Sequence, residues 1–368
     1  MANSQTDSPK PKARRPLKII QIAPLWFPVP PDRYGGTERV VASLCNSLVA
    51  KGHKVTLFAS PGSQTKADLV SIYDKPLIEA GISWRNYLCN LNNLGKAYRL
   101  AKEGKYDIIH SHLDILGIFF DSLTGIPTVH TMHNPLYEAQ DKGKTKRFGR
   151  FNIFKSYASS LNMVFISQAA RSKASLKFLK EEVIYNAVET EKFPFYPNQE
   201  DHFIWIARIS HSKGIENAIE AARQAGVKLM FAGRIDPDSQ KYFDTEIKPK
   251  LNSKIKYVGE LSQKELPDFY GHAKALLYPI EWEEPFGLVV AEAMSCGTPV
   301  IAFKKGSMPE LVEDGKTGFV VKTMRGLLAA MRKVDKLDRG YIFKRAQERW
   351  NIKRMVESYE NFYYRICE

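Results

Sequence analysis

The chain has 368 residues, of which 44% are hydrophobic and 26% charged, a composition typical of globular domains and unlike that of disordered chains. Its length predicts two domains. Its four widely separated cysteines exclude a disulfide scaffold or a cysteine-based zinc site and favour a reducing compartment, which we expect to be the cytoplasm. A run of about 18 apolar residues is absent from the sequence, which excludes a membrane-spanning helix.

The net charge of +14 lies almost entirely in the first half of the chain. Residues 1–187 contain 26 Lys and Arg against 14 Asp and Glu, whereas residues 188–368 contain 28 against 26. This asymmetry indicates that the first half meets an anionic partner. Residues 1–16 are basic and lack the apolar segment of a signal peptide, so we expect a disordered basic tail.

The first elements after this tail are predicted to be a strand, a loop, a helix and a second strand. Residues 18–23 are mostly apolar, a proline-rich loop follows, and apolar residues recur at helical spacing between Gly36 and Gly52. Gly52 is the type of residue that ends a helix, and residues 54–58 are again apolar. This alternation predicts a parallel sheet with right-handed crossovers.

The same alternation continues along the chain with one interruption, the polar stretch at 187–201. Further strands are predicted at 107–111, 127–131, 162–166, 182–185, 203–207, 228–232, 255–258, 275–278, 299–302 and 318–321, and a helix at 215–225. The fold class is therefore α/β, with two doubly wound Rossmann-like domains that face a central cleft. We expect these domains at 17–187 and 188–345, and a C-terminal helix at 346–368 that packs back on the first domain.

Two glutamates, Glu284 and Glu292, form the densest signal in the sequence. Glu284 lies in a Pro/Gly turn, and Glu292 lies about one turn into a helix predicted to begin at Leu288. The free N–H groups and the dipole at the start of a helix suit a phosphate, and Glu292 could then accept hydrogen bonds from a ribose. The pattern is equally compatible with an acidic helix start that only favours the dipole.

Two cations, Arg208 and Lys213, follow a predicted strand and precede a helix. Open α/β sheets bind ligands at the carboxyl ends of their strands, where two fixed cations would neutralise a diphosphate. A solvated basic loop is the alternative. Gly35 and Gly36 would let backbone approach a ligand, or they form a plain tight turn. They do not match the glycine fingerprint of nicotinamide enzymes.

Taken in order, these segments resemble the retaining glycosyltransferases of family 4, which have the GT-B fold. The resemblance covers about residues 17–365. It rests on the segments 34–40, 52–55 and 183–188 in the first half, and 207–214, 232–234, 258–259, 284–292 and 297–300 in the second. It implies transfer of a hexosyl unit from a nucleotide-sugar to an acceptor hydroxyl, with retention at the anomeric carbon.

The resemblance also implies a role for each candidate residue. The second domain would bind the donor, with Arg208 and Lys213 on the diphosphate. Glu292 would bind the ribose and Glu284 the transferred sugar, while His133 matches the family's histidine beside that sugar. Further donor-binding positions would be Gly35, Gly36, Gly233, Leu261, Phe286, Gly287 and Leu288. Family members usually have Gly where this chain has Ala187 and Ala207, so these turns are expected to differ.

No essential metal and no cofactor besides the nucleotide-sugar are expected. His110, His112 and His130 are close in sequence, but strand alternation argues against one metal cluster. Proline between the two acids of Asp236-Pro-Asp238 favours a turn over a metal site. Arg, Lys and a helix dipole would take the place of a metal.

The residues that would contact the nucleotide base are at 261–263, where relatives bind it. This stretch contains no acid that could pair with guanine, which favours a UDP-sugar over a GDP-sugar. An uninvolved surface loop is the alternative.

The acceptor is expected on the first domain, as a glycan, a lipid or a lipid-linked sugar in envelope glycan synthesis. Basic and apolar residues alternate there: Lys142, Lys144, Lys146, Arg147, Arg150 and Lys155 beside Phe148, Phe151 and Phe154, then Arg171, Lys173, Lys177 and Lys180 with Leu176 and Leu179. Such helices can lie on anionic membranes, so we expect the protein at the inner face of the plasma membrane. A solvated basic face is equally compatible.

Three other functions compete with transfer. A non-catalytic GT-B nucleotide-binding module is disfavoured because all the charged site residues are present. A nucleotide-sugar epimerase would differ by forming a product without an acceptor. A nucleic-acid partner is not expected, because the sequence contains no recognised nucleic-acid-binding motif.

Overall fold

A computed structural model describes residues 14–84, 86–137 and 149–368, which form two parallel sheets covered by helices. The first sheet contains β1 (Lys18–Ile22), β2 (Lys54–Phe58), β3 (Asp68–Val70), β4 (Ile108–Ser111), β5 (Thr128–Met132), β6 (Asn162–Phe165) and β7 (Lys180–Val183). The second contains β8 (Phe203–Ile206), β9 (Leu229–Ala232), β10 (Ile255–Tyr257), β11 (Ala275–Tyr278), β12 (Val300–Phe303) and β13 (Gly318–Val321).

The helices connect these strands and cover both faces of each sheet. They are α1 (Gly36–Ala50), α2 (Leu88–Gly104), α3 (Arg150–Tyr157), α4 (Gln168–Ala174), α5 (Ile215–Ala225), α6 (Gln240–Tyr242), α7 (Leu266–Gly271), α8 (Leu288–Ser295), α9 (Met308–Leu311), α10 (Met324–Met331), α11 (Arg339–Arg349) and α12 (Ile352–Cys367). No helix in the described part of the chain is long and apolar enough to cross a membrane.

Both sheets are wound in two directions from their first strand. The order is β3-β2-β1-β4-β5-β6-β7 in one and β10-β9-β8-β11-β12-β13 in the other, and every strand pairing is parallel. A crevice therefore opens at the carboxyl ends of β1 and β4, and another at those of β8 and β11. This is the predicted α/β architecture of two Rossmann-like domains.

Burial on both faces explains why the central strands are continuous apolar runs. All four residues of β8 are buried, as are those of β11, and Ile19, Ile20 and Ile22 of β1 are fully enclosed. Helix α1 packs its Val40, Leu44 and Leu48 face against the sheet, and the chain turns at Gly52 with φ +91°, where the sequence predicted its end.

Several elements differ from the sequence prediction. Strand β7 lies two residues earlier than predicted, and β3, α2, α6, α7, α9 and α10 were not predicted. Helix α2 carries leucines at helical spacing, but two asparagines, Asn90 and Asn93, interrupt the apolar pattern and are nevertheless buried. The Asn90 side chain accepts a hydrogen bond from the N–H of Leu25 at 3.2 Å, so this polar residue serves the tertiary fold.

The C-terminal helix α12 packs against α1 and the first sheet, although it follows the second domain in sequence. Its Tyr363 hydroxyl accepts a hydrogen bond from Gln21 Nε2 of β1 at 3.0 Å, and its Glu360 pairs with His53 at 2.9 Å. The N–H of Val188 donates to the carbonyl of Trp350 at 2.9 Å, so the chain crosses between the domains at two adjacent points.

The expected apolar-plus-basic membrane face is wrong for two of its phenylalanines, whereas Leu179 is exposed as expected. Phe151 and Phe154 lie on α3 but are buried, with 4% and 0% exposure, in a core that includes Phe165. An eight-residue helix cannot show from sequence which of its faces is covered. Lys142, Lys144, Lys146, Arg147 and Phe148 lie outside the described residues.

A buried guanidinium holds three backbone segments of the second domain together. Arg339, at the start of α11, donates hydrogen bonds of 2.7–3.1 Å to four acceptors. These are the carbonyls of Tyr196, Gly271 and Ala273 and the hydroxyl of Thr298.

We expect Arg339→Met to lower the free energy of unfolding by roughly 3–5 kcal/mol, because it keeps most of the apolar stem but leaves these acceptors buried without donors. Urea denaturation measures the change. Arg365→Met is the control, because Arg365 is half-exposed and pairs with Glu182 at the surface. Equal urea midpoints for Arg339→Met and the wild type would contradict the assignment.

Candidate active site

All twelve residues that the sequence predicted for the site line one cleft between the two sheets, with about 1010 Å³ of empty space. They are Gly35, Gly36, His133, Arg208, Lys213, Gly233, Leu261, Glu284, Phe286, Gly287, Leu288 and Glu292. They lie at or beyond the carboxyl ends of strands from both sheets, or at the start of the helix that follows. Parallel strands thus bring residues from distant parts of the sequence to one place.

The Glu284 carboxylate is buried and fixed by three donors. Its Oε2 accepts hydrogen bonds from Lys213 Nζ at 2.6 Å, the Tyr278 hydroxyl at 2.8 Å and Trp282 Nε1 at 3.0 Å. Lys213 Nζ also lies 4.3 Å from the centre of the Trp282 ring, a cation–π contact. No described residue donates to Glu284 Oε1, so this oxygen is available to a hydroxyl of a ligand.

Glu292 is 1% exposed and is held from both domains. Its Oε1 lies 2.5 Å from Arg39 of α1, and its Oε2 accepts from the Tyr270 hydroxyl at 2.7 Å. Arg39 also donates to the Gln263 side chain at 2.9 Å. Sequence reasoning missed Arg39, although its place one turn after Gly36 put it on the cleft side of α1.

Arg208 is oriented by a carboxylate that the sequence analysis assigned only to a turn. Asp236 is 2% exposed and accepts from Arg208 at 3.1 Å and from Arg234 at 2.8 Å. The turn is present as a short 3-10 helix over Pro237–Ser239. Asp236 precedes it and faces the guanidinium groups. The Arg208 side chain is 38% exposed, and among the described residues Asp236 bonds only to its Nη1, so the cation retains donors for an anion.

His133 follows β5 and is neutral at physiological pH. Burial lowers its pKa from 6.5 to about 4, and nearby Asp114 opposes the shift. Its Nε2 lies 2.9 Å from Nδ1 of His112. A neutral imidazole can exchange hydrogen bonds with hydroxyl groups but carries no positive charge that would oppose a developing cation.

The other histidines have separate partners. His110 contacts Tyr363 at 2.6 Å, and His130 pairs with Asp121 at 2.8 Å. Across residues 14–84, 86–137 and 149–368, no group of three or more His, Cys, Asp or Glu is arranged to hold a metal ion.

Two glycines allow close approach of backbone in the cleft. Gly233 has φ +146°, and a Cβ there would lie 1.7 Å from the carbonyl oxygen of Ala207. Gly35 has φ +142°, and a Cβ there would lie 2.7 Å from Pro31. Ala187 and Ala207, in contrast, are not among the residues with positive φ, so alanine fits both turns without strain.

The lining of the cleft weakens the preference for uracil over guanine that the sequence indicated. Glu260, directly before Leu261, also lines the cleft, and its Oε1 accepts from the N–H of Tyr34 at 3.2 Å. An acid is therefore present beside the segment expected to contact the base, and the absence of acids at 261–263 does not exclude guanine.

Two family models match the chain. The model for glycosyl transferases group 1 matches residues 188–346, and the model for glycosyltransferase family 4 matches residues 34–192. A probable sucrose-phosphate synthase of Thermosipho melanesiensis is 27% identical over 309 residues, which cover 74% of this chain and 72% of that protein.

Solved structures share the fold. The sucrose-phosphate synthase of Thermosynechococcus elongatus has a TM-score of 0.78 at 19% identity, over 95% of this chain and 98% of that one. An Anabaena protein in complex with UDP and glucose has a TM-score of 0.74 at 20% identity, over 94% and 98% of the two chains.

Glu38, near the Gly35 turn, is a second buried titratable group, and its pKa shifts in the direction opposite to that of His133. Glu38, in the first turn of α1, is 4% exposed. Burial raises its pKa from 4.5 to about 7, which Arg39 opposes. The native state therefore keeps Glu38 protonated in a pH range where the unfolded chain does not.

The two groups predict opposite effects on stability. At about pH 5–6 His133 is protonated in the unfolded chain but not in the native state, so this residue makes the free energy of unfolding rise with pH. Glu38 is protonated in the native state but not in the unfolded chain, so it makes the free energy of unfolding fall with pH. Against the wild type, we expect His133→Asn to lower the slope of unfolding free energy against pH by about 1 kcal/mol per unit, and Glu38→Gln to raise it by about as much. Urea denaturation across this range measures both slopes. Shifts of the same sign would contradict this account.

Proposed function

The chain belongs to the group 1 glycosyl transferases of family 4, and from that premise we propose that it moves a hexosyl unit from a nucleotide-sugar to an acceptor hydroxyl with retention at the anomeric carbon. The observation that carries the proposal is the presence, in one interdomain cleft, of two cations, Arg208 and Lys213, and two buried carboxylates, Glu284 and Glu292.

The cations receive the diphosphate of the donor. Arg208 offers the exposed N–H groups that Asp236 leaves unpaired, and Lys213 shares its ammonium between Glu284 and the incoming phosphate. The N-terminus of α8, which begins at Leu288, adds free N–H groups and positive dipole. Together these groups neutralise the leaving diphosphate without a metal ion.

The two carboxylates bind hydroxyl groups of the donor. Glu292 accepts from the ribose, and Glu284 accepts through its free Oε1 from the hexose. The anomeric C–O bond breaks, with its electron pair going to the diphosphate, while the acceptor oxygen bonds to the anomeric carbon from the same face. A phosphate oxygen takes the acceptor's proton, so the products are the glycosylated acceptor and a nucleoside diphosphate.

The donor is a UDP-hexose in this proposal. The solved Anabaena protein binds UDP and glucose, which supports it. A GDP-hexose is the second candidate, because the Glu260 carboxylate could accept from the N–H groups of guanine.

The acceptor is a glycan, a lipid or a lipid-linked sugar that approaches from the first domain, in polysaccharide or glycolipid synthesis in the cytoplasm. The excess positive charge of residues 1–187 supports contact with the anionic inner face of the plasma membrane. The buried positions of Phe151 and Phe154 confine this contact to electrostatic attraction and to other apolar residues.

A thermal-shift panel of UDP, GDP, ADP and their hexose conjugates tests the donor. A ligand that binds only the native state raises the melting temperature, by roughly 5 °C at a hundredfold excess over Kd. We expect one base to do so, with no change on adding EDTA. A response to none of them would contradict the proposal, and a response that EDTA abolishes would contradict metal independence.

Lys213→Ala and Glu284→Ala should each reduce transfer by at least about 100-fold, because each removes a charge that stabilises the transition state. Product analysis with the donor found in the panel measures the loss, and sugar product formed without any acceptor would indicate an epimerase. Lys274→Ala is the matched control, since Lys274 pairs with Asp335 outside the cleft. An active Lys213→Ala enzyme would refute the phosphate assignment.

A further inference from the structure

A chain of buried hydrogen bonds leads from His133 in the cleft into the core of the first domain. His133 Nε2 lies 2.9 Å from His112 Nδ1, and His112 Nε2 lies 2.9 Å from Gln21 Oε1. Gln21 Nε2 donates to the Tyr363 hydroxyl at 3.0 Å, and that hydroxyl lies 2.6 Å from His110 Nδ1. His112, Gln21, Tyr363 and His110 are each at most 2% exposed.

The orientation of the Gln21 side-chain amide determines where the protons lie along this series of hydrogen bonds. Because Gln21 turns its oxygen to His112, the proton of His112 is on Nε2, and its Nδ1 can only accept. His133 must then donate from Nε2. On the other side, the Tyr363 hydroxyl accepts from Gln21 and so has its proton free for His110.

The chain continues from His110 to a second hydroxyl of the C-terminal helix. His110 Nε2 lies 2.7 Å from the Thr131 hydroxyl, which in turn lies 3.1 Å from the Tyr359 hydroxyl. Burying so many polar groups costs free energy that an apolar core would not. Only one end of this network opens on the cleft, at His133, where no described residue bonds to Nδ1.

We propose that His112, Gln21 and Tyr363 are positioning residues that keep the proton of His133 on Nε2, so that Nδ1 presents a lone pair to a hydroxyl bound in the cleft. This rests on the proposed function, in which that hydroxyl belongs to the transferred sugar or to the acceptor. The C-terminal helix thus contributes to the site through the Tyr363 hydroxyl without reaching the cleft itself.

Histidine nitrogen NMR of the whole chain at neutral pH tests the proton position directly. The His133 signal is assigned by its loss in His133→Asn. We expect wild-type His133 to be protonated on Nε2, and Tyr363→Phe to give a mixture of the two tautomers, because Gln21 loses the hydroxyl that orients it. Tyr364→Phe is the matched control on the same helix, since Tyr364 donates instead to the carbonyl of Arg15.

Kinetic measurements distinguish a role in positioning His133 from an effect on protein stability alone. Tyr363→Phe should lower kcat by roughly 10- to 100-fold with little change in KM, and Tyr364→Phe should change neither. If Tyr363→Phe does not fold, His112 variants decide: His112→Asn keeps an oxygen near the place of Nδ1 and should retain most of kcat, whereas His112→Leu should lose it.

Two results would overturn the proposal. One is wild-type His133 protonated on Nδ1. The other is a single Nε2 tautomer with unchanged kcat in Tyr363→Phe and His112→Leu. The NMR result does not depend on the reaction, so a wrong donor or acceptor assignment would leave the proton position decidable.

Discussion

Burying a carboxylate is costly unless donors surround it, and the cleft of this chain buries three, at Glu284, Glu292 and Asp236. Each is held by two or three donors, and most of these donors are cationic or aromatic. The arrangement therefore exists before any ligand binds. In the proposed reaction, a nucleotide that enters the cleft exchanges one set of partners for another and does not have to order mobile charges, which is the condition for efficient electrostatic stabilisation.

The need of buried carboxylates for donors also links the two domains. Arg39 of the first domain neutralises Glu292 of the second at 2.5 Å. On another side of the interface, Glu310 accepts hydrogen bonds from the N–H groups of Gln168 and Ala169, at 2.9 and 2.5 Å. Both contacts are polar, unlike the apolar core between α1 and α12. Polar interfaces between domains permit relative motion, and in the proposed reaction the contact at Glu292 changes when the ribose binds.

Much of the fold could be predicted because its signals are local. The apolar runs that became β2, β11 and β13 were predicted with the bounds that the structure has, and so was α5. Helix α2 could not be predicted in this way, since its buried asparagines are explained only by contacts with residues far away in sequence, such as Leu25.

The same distinction, between local signals and contacts far apart in sequence, applies to the candidate site. Charged residues directly after apolar strands could be identified because parallel strands end together, and this led to Arg208 and Lys213. Other residues of the site could not be identified in this way: Arg39, Asp236 and Glu260 gain their roles from elements that meet only in the folded chain.

A crystal structure of the chain with UDP would show whether the buried charges of the cleft form a nucleotide site. The account predicts phosphate oxygens within about 3.2 Å of Arg208 and Lys213, and ribose hydroxyls on Glu292. UDP bound outside the cleft, with Lys213 still on Glu284 and Arg208 still on Asp236 alone, would contradict it.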